Sequence, residues 1–355
     1  MKKNNLLLIT IGFLFFVASC SKKNNVITTP PKVTTGVYSL NQGNYGQNNT
    51  TITYYDFSTG LPSTDYFANV NHFGLGDTGS DFINYGGKIY IVMNNSGNVA
   101  VANAFTMQFI DTIDFKNAGV NRGPENIVAY GTNVFVSSTD GTVAVIDTTA
   151  LSISKFISVG SNPAQMAVSG TNLYVSNTGG YSAQFDSTVS VIDLNSLTET
   201  SQITVGINPG SIAADNSGNI YVACTGDYVT VVPKMVKVNT SSNSVTTSAD
   251  TAAGIVRYYN GNLYVIGGSL GLPLVRELST TDFSAIKTNF ISDGTTITTP
   301  YSLDIDNASG DVYVSDAKDY VLAGEVFCFD KTGTKKFSFS TSPTASPIGV
   351  QLITH

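Results

Sequence analysis

The chain has no tryptophan and only two histidines, His72 and His355. No HxH or HExxH pair can form from them, so no metal centre is expected. Neither a GxSxG elbow nor a GxxxxGK[ST] phosphate loop occurs, which removes the commonest nucleophile and nucleotide machinery. Charge is scarce as well. Asp, Glu, Lys and Arg make up 12% of the 355 residues, against ~25% in typical soluble domains. The net charge is −7 and no Lys/Arg cluster is present, which argues against nucleic acid as a partner. Cysteine is limited to Cys20, Cys224 and Cys328. The last two fall in different repeats within apolar segments, so separate buried thiols are expected rather than a disulfide. Hydrophobic residues at 42% exclude a disordered chain; its surface must be made from Asn, Ser, Thr and Tyr.

What the chain does have is repetition. A polar turn followed by an apolar residue and an aromatic recurs seven times, ending at Tyr38, Tyr90, Phe135, Tyr174, Tyr221, Tyr264 and Tyr313. Successive aromatics lie 39 to 52 residues apart. A period of ~40–50 residues built from short β-segments marks a propeller, in which each repeat forms one sheet.

The first residues read differently. Lys2 and Lys3 precede an apolar run over residues 6–17, followed by Val17-Ala18-Ser19-Cys20. A basic segment, a short apolar run and small residues before a cleavage point describe an export signal, and the run is too short for an ordinary spanning helix. Val-Ala-Ser-Cys also resembles a bacterial lipobox, which implies diacylation of Cys20. The expected organisation is a lipoprotein signal peptide over 1–19, a lipidated Cys20 with a polar, proline-containing tether over 20–35, and a propeller over 36–355. Such a chain would be exported and anchored through Cys20 to a lipid bilayer.

Within the repeat spanning residues 163–206, four strands can be read: A over 164–168, B over 173–176, C over 188–193 and D over 198–205. Strand B is apolar at consecutive positions, as expected where a sheet is covered on both faces. An Asp closes strand C at Asp56, Asp147, Asp193 and Asp330, with Asn239 in its place once. Its short side chain can bond the backbone two residues on and start the next turn, a structural role. Strand A follows a proline at Pro124, Pro163, Pro209, Pro300 and Pro347, where the missing N–H costs no ladder bond.

The repeats are out of phase at the two ends. The first B strand, over 37–40, has no A strand before it, and the last A strand, over 348–354, has no B strand after it. Joining them completes one blade and removes the free edges an open array would expose. The expected fold is therefore all-β: a seven-bladed β-propeller of four-stranded antiparallel blades, closed by the C-terminal strand completing the first blade. Strand order then puts the short A–B and C–D turns on one face and the long B–C and D–A loops on the other. Function on a rigid scaffold concentrates on long loops.

Those loops carry a resemblance. The repeats look like those of YVTN or YncE-like propellers. The segments NQGNYGQNNTTITYYD (41–56), GDTGSD (76–81), SNTGGYSAQFDSTVSVID (176–193), ISDG with PYSL (291–303) and SDAKDYV (315–321) resemble the Bacteroidetes surface lipoproteins of the BtuG type. The resemblance implies a seven-bladed propeller that captures cobalamin or a related corrinoid at the outer membrane, on the cell surface, and passes it to a TonB-dependent transporter. No cofactor and no catalysis are expected, since the usual catalytic motifs are missing from the chain. A bulky, amide-fringed ligand calls for neutral polar groups and aromatic surface. The candidates on the loop face are Asn41, Asn44, Tyr45, Asn94, Asn95, Asn177, Tyr181, Phe185, Asp227, Tyr228, Tyr301, Asp319 and Tyr320. A glycan would suit the same residues, and a protein–protein scaffold of the cell envelope is the other alternative.

A carboxylate-based hydrolase on this face would need Asp77, Asp81, Asp227 and Asp319 to converge. The run Asp304-Ile305-Asp306-Asn307-Ala308-Ser309-Gly310-Asp311 has some likeness to a calcium loop. Ala308 occupies a ligand position, however, and the segment coincides with an A–B turn, so a hairpin turn is expected.

Overall fold

A computed structural model describes residues 33–180, 184–267, 275–343 and 346–354. Residues 34–354 fall within one compact unit. Cys20 and the signal and tether segments up to residue 32 lie outside the described residues, as does Tyr181. Among the described residues no helix is long and apolar enough to cross a membrane.

Seven four-stranded antiparallel sheets follow one another, each ordered A-B-C-D. In blade 4 the strands are Pro163–Ser169, Asn172–Asn177, Thr188–Asp193 and Thr198–Thr204. Blade 1 is the composite one. Its strand A is the C-terminal Pro347–Thr354, paired with strand B, Thr34–Asn41, in a register that sets Val37 against Leu352 and Ser39 against Val350. The seven-bladed, C-terminally closed ring expected from the sequence is the observed fold.

The recurrent aromatic has a specific task. Tyr38 packs in a cluster joining blades 1 and 2, Tyr90 in one joining blades 2 and 3, and the pattern continues to Tyr313 between blades 7 and 1. In strand B of blade 5, Tyr221 and Ala223 face blade 6 while Ile220 and Val222 face blade 4. Period-two alternation between two buried faces makes the strand apolar throughout. Cys224 and Cys328 lie in different interblade clusters as free, buried thiols.

The C–D turns repeat one device. Asp147 Oδ1 accepts from the N–H groups of Thr149 and Ala150, Asp193 from Asn195 and Ser196, and Asn239 from Ser241 and Ser242. Asn103 does the same in blade 2, for Phe105 and Thr106, a position the sequence reading passed over. The calcium-like run is an A–B hairpin in which Asp306 accepts from Ala308 N–H and Ser309 Oγ. Two features of the D–A connections were also not anticipated: a helix over Tyr66–Asn71, closed by His72 in a left-handed conformation, and a small ribbon of Lys116–Asn117 with Val120–Asn121.

Candidate functional site

The A strands touch one another around the axis and line a central cavity of about 430 Å³. Local sequence explains its polarity. Immediately after the opening proline, strand A of blades 3, 4, 5 and 7 slips register against strand B, as at Pro124/Ile127 and Pro163/Met166. Blade 2 slips in the same place, between Gly79 and Asp81. Such a bulge re-aims side chains: Asp81, Asn126, Gln165 and Ser302 line the cavity, and Ser211 stands behind Gln165. Blade 6 keeps its register and contributes Arg257 instead.

Most of these groups staple one blade to the next. Asp81 Oδ2 accepts from Ile127 N–H (3.0 Å), Gln165 Oε1 from Ser211 Oγ (2.7 Å), and Ser211 Oγ from Val256 N–H (3.0 Å). Arg257 Nη2 lies 3.6 Å from Asp304 Oδ1, and Asp304 Oδ2 accepts from Val350 N–H (3.0 Å). Gln351 Nε2 donates to Phe82 O (3.1 Å), which brings the chain of contacts back to blade 2. One arginine therefore faces two carboxylates. Burial pushes Asp81 up to about 7, with Asp304 adding to the rise and Arg257 opposing it. Asp304 is raised too, by burial, against the pull of Arg257. Glu125, next to this cavity, is also pushed up to about 7, by burial and then by Asp81.

The loop face sits above. Three of the sequence-predicted aromatics stand in solvent there: Tyr45 is 76% exposed, Tyr228 74% and Tyr320 52%. Each is set by a carboxylate. Asp227 Oδ1 accepts from the N–H groups of Val229, Thr230 and Val231, and Asp319 Oδ1 from those of Val321 and Leu322. The tyrosine after each Asp takes a left-handed backbone, φ 62° at Tyr228 and 64° at Tyr320. Asp77, tied to Asn95 and Thr78, accepts from Gly46 N–H directly after Tyr45. All three carboxyls are held below their ordinary range, Asp227 and Asp319 by hydrogen bonds within their own loops and Asp77 by bonds that outweigh its burial.

The other candidates fall into pairs. Phe185 meets Tyr228 edge to face at 5.8 Å. Tyr301 meets Tyr320 at 5.8 Å and donates to Gln42 Oε1. Asn94 Nδ2 donates to Pro124 O and Glu125 Oε1, and Asn44 is exposed on its loop, where its N–H donates to Asn49 Oδ1. Asn41 and Asn177 require correction. Both are 0% exposed, and each spends its Nδ2 inside its own blade, on Thr51 and Thr53 or on Thr188 and Ser190. At the last residue of strand B their side chains turn into the sheet and away from the face. The four carboxylates considered for a hydrolase are likewise parted: Asp77, Asp227 and Asp319 serve loops, while Asp81 belongs to the channel. Among the described residues no three Asp, Glu, His or Cys side chains gather as a metal centre requires.

The sequence reading missed the channel residues Gln165, Arg257 and Asp304, along with Glu125, Asn126, Asn162 and Asn208 of the loop face. One signal was available: the second residue after the A-strand proline is polar in Asn126, Gln165, Ser211 and Ser302. The opposing bulge that gives this pattern meaning is not visible in a linear pattern.

A closed ring with a polar axial cavity and one aromatic-rimmed face places the protein in the class of seven-bladed β-propellers. No family model and no curated protein matches the chain. Solved structures do. A quinoprotein alcohol dehydrogenase-like protein of Bacteroides thetaiotaomicron is similar at 15% identity and a TM-score of 0.67, over 90% of this chain and 79% of that one. A candidate 6-phosphogluconolactonase of Bacteroides fragilis aligns at 14% identity and a TM-score of 0.64, over 90% and 98%. Hydrazine synthase of Kuenenia stuttgartiensis aligns at 15% and 0.53, over 71% and 76%. At these identities the likeness is one of fold.

Proposed function

We propose that this propeller is a solute-capturing lipoprotein of the bacterial envelope, without catalytic activity. In this reading it is anchored at the outer-membrane surface through Cys20 and binds cobalamin or a related corrinoid on its B–C/D–A face for delivery to a TonB-dependent transporter. The observation that carries the proposal is the trio Tyr45, Tyr228 and Tyr320, exposed on three separate blades and each set by a hydrogen-bonded carboxylate. Preorganised aromatic surface binds a large ligand at low ordering cost. The polar groups around it are mainly neutral, which suits an amide-fringed ligand held by many contacts, with affinity little affected by salt.

Calorimetry of residues 21–355 with cyanocobalamin tests the ligand. Saturable heat with a shift in the corrinoid absorption spectrum is expected. No heat and no shift at high micromolar ligand refutes the corrinoid. Co-purification from solubilised outer membranes with a TonB-dependent transporter tests delivery, and recovery of the lipoprotein alone counts against it.

A further inference from the structure

Beside Tyr228 the loop face contains a cleft of about 440 Å³ between blades 3, 4 and 5, within the range of small-molecule sites. Tyr228 and Phe185 form one wall, and Asn126, Asn162 and Asn208 lie around it with Glu125. Among the described residues no lysine or arginine lines it. The D–A connections build this arrangement: Asn162 and Asn208 both precede an A-strand proline and both take a left-handed backbone, φ 48° and 58°.

The hydrogen-bonding capacity of these groups is only partly used. Asn162 belongs to the wall: its Nδ2 donates to Thr178 Oγ1 (2.6 Å) and its Oδ1 is buried away from the cleft opening. Asn126 lines both this cleft and the channel, and among the described residues its carboxamide makes no hydrogen bond, only its backbone bonding Ser137. Tyr228 Oη accepts from Asn208 Nδ2 (3.2 Å) and lies 3.2 Å from Thr225 Oγ1, whose hydroxyl is also within reach of Asn208 O; these bonds hold the ring at the edge of the cleft. The uncommitted Asn126 carboxamide beside a solvent-facing aromatic ring describes a receptor for a neutral ligand with hydroxyls at its edge and an apolar face. Phosphates and carboxylates lack a cationic partner here, and a purely apolar ligand would leave the Asn126 carboxamide unpaired at a cost.

We infer that the cleft between blades 3, 4 and 5 is a monosaccharide subsite, in which one face of a pyranose ring lies on Tyr228 while the Asn126 carboxamide bonds its hydroxyls. The subsite shares Tyr228 with the corrinoid reading, but the two tests are separate: a failed cyanocobalamin titration would leave the subsite standing, and failure of the sugar titration would leave that reading standing.

Saturation-transfer NMR on residues 21–355 with methyl β-D-glucopyranoside, methyl β-D-galactopyranoside and methyl α-D-mannopyranoside tests it. At least one sugar should receive saturation, mainly on the C–H groups of one ring face, with affinity in the millimolar range expected of a single small ring. Tyr228→Ala should weaken that binding about tenfold or more, as loss of a buried aromatic contact does. Asn126→Ala should weaken it severalfold, and Ile286→Ala, exposed on strand Ala285–Lys287 of blade 6, should leave it unchanged. Circular dichroism and melting curves of each variant confirm that the propeller is folded. No transfer to any of the three sugars at tens of millimolar overturns the inference, as does undiminished transfer in a folded Tyr228→Ala variant.

Discussion

The two faces of the ring use the same side chain for different ends. On the turn face, Asp147, Asp193 and Asp330 each close a short hairpin at the same position of the blade. On the loop face, Asp227 and Asp319 make comparable backbone bonds, but what they hold is a tyrosine in a left-handed conformation pointing to solvent. One face repeats because its only task is to return the chain. The other varies from blade to blade, since each loop presents a different surface. An aspartate by itself thus says little about function; the element it caps says more.

The largest test removes what both faces depend on. Deleting Pro347 to His355 takes away strand A of blade 1, with Val350 and Ile353 from the interblade clusters, and exposes the edge of Thr34–Asn41. We expect no cooperative unfolding transition and aggregation on size exclusion, because the ring loses its closure. A soluble, cooperatively folding truncation would show that closure is dispensable.

Tyr174→Ala comes next. The ring is fully buried between blades 4 and 5, and its hydroxyl reaches Thr240 O and Asn243 Oδ1 in the turn face. A loss of about 3–5 kcal/mol is expected in denaturant unfolding, as for other large aromatic deletions.

The pH profile separates the axis from the turns. Asp81 and Glu125 are raised to about 7, so between about pH 4 and pH 7 the folded protein holds more protons than the unfolded chain. Their contribution is greatest below about pH 4 and falls as the pH rises toward 7. Carboxylates held low, such as Asp193 and Asp227, act oppositely: their contribution is present above about pH 4 and is lost on acidification. The melting temperature should therefore peak at mildly acidic pH, a few degrees above its neutral value. Asp81→Asn should flatten the fall from the peak to neutrality while leaving the acid limb in place.

A matched pair sharpens the contrast further. Asp193→Ala and Asp227→Ala should each lower the melting temperature only slightly, because both side chains are at the surface. Hydrogen exchange should tell them apart: Asp227→Ala accelerates the amides of Val229, Thr230 and Val231, and Asp227→Asn restores them, since the amide oxygen can accept the same bonds. The smallest effect is expected from Tyr45→Ala and Tyr320→Ala. Both rings are largely exposed, so melting should stay within about 1 °C of the parent, while corrinoid binding weakens if those rings carry it.

The sequence by itself determined the blade count, the closure by the C-terminal strand, the separation of turn face from loop face and the caps of most C–D turns. These follow from local rules, namely a strand period of two, turn residues at fixed offsets and the phase of the repeat, all contained within one blade. Only the tertiary structure decided which polar side chains matter. Asn41 and Asn177 read as surface groups and are buried, because the inward or outward aim of a strand's last residue depends on the loop packed over it. Asp81 reads as a loop carboxylate and belongs to the axis, because a bulge turns it there. Asn126 and Tyr228 stand far apart in the chain and line one cleft, because ring closure brings the start of one blade to the loop of another. Their chemistry depends on shared burial and mutual distance, and a linear pattern encodes neither.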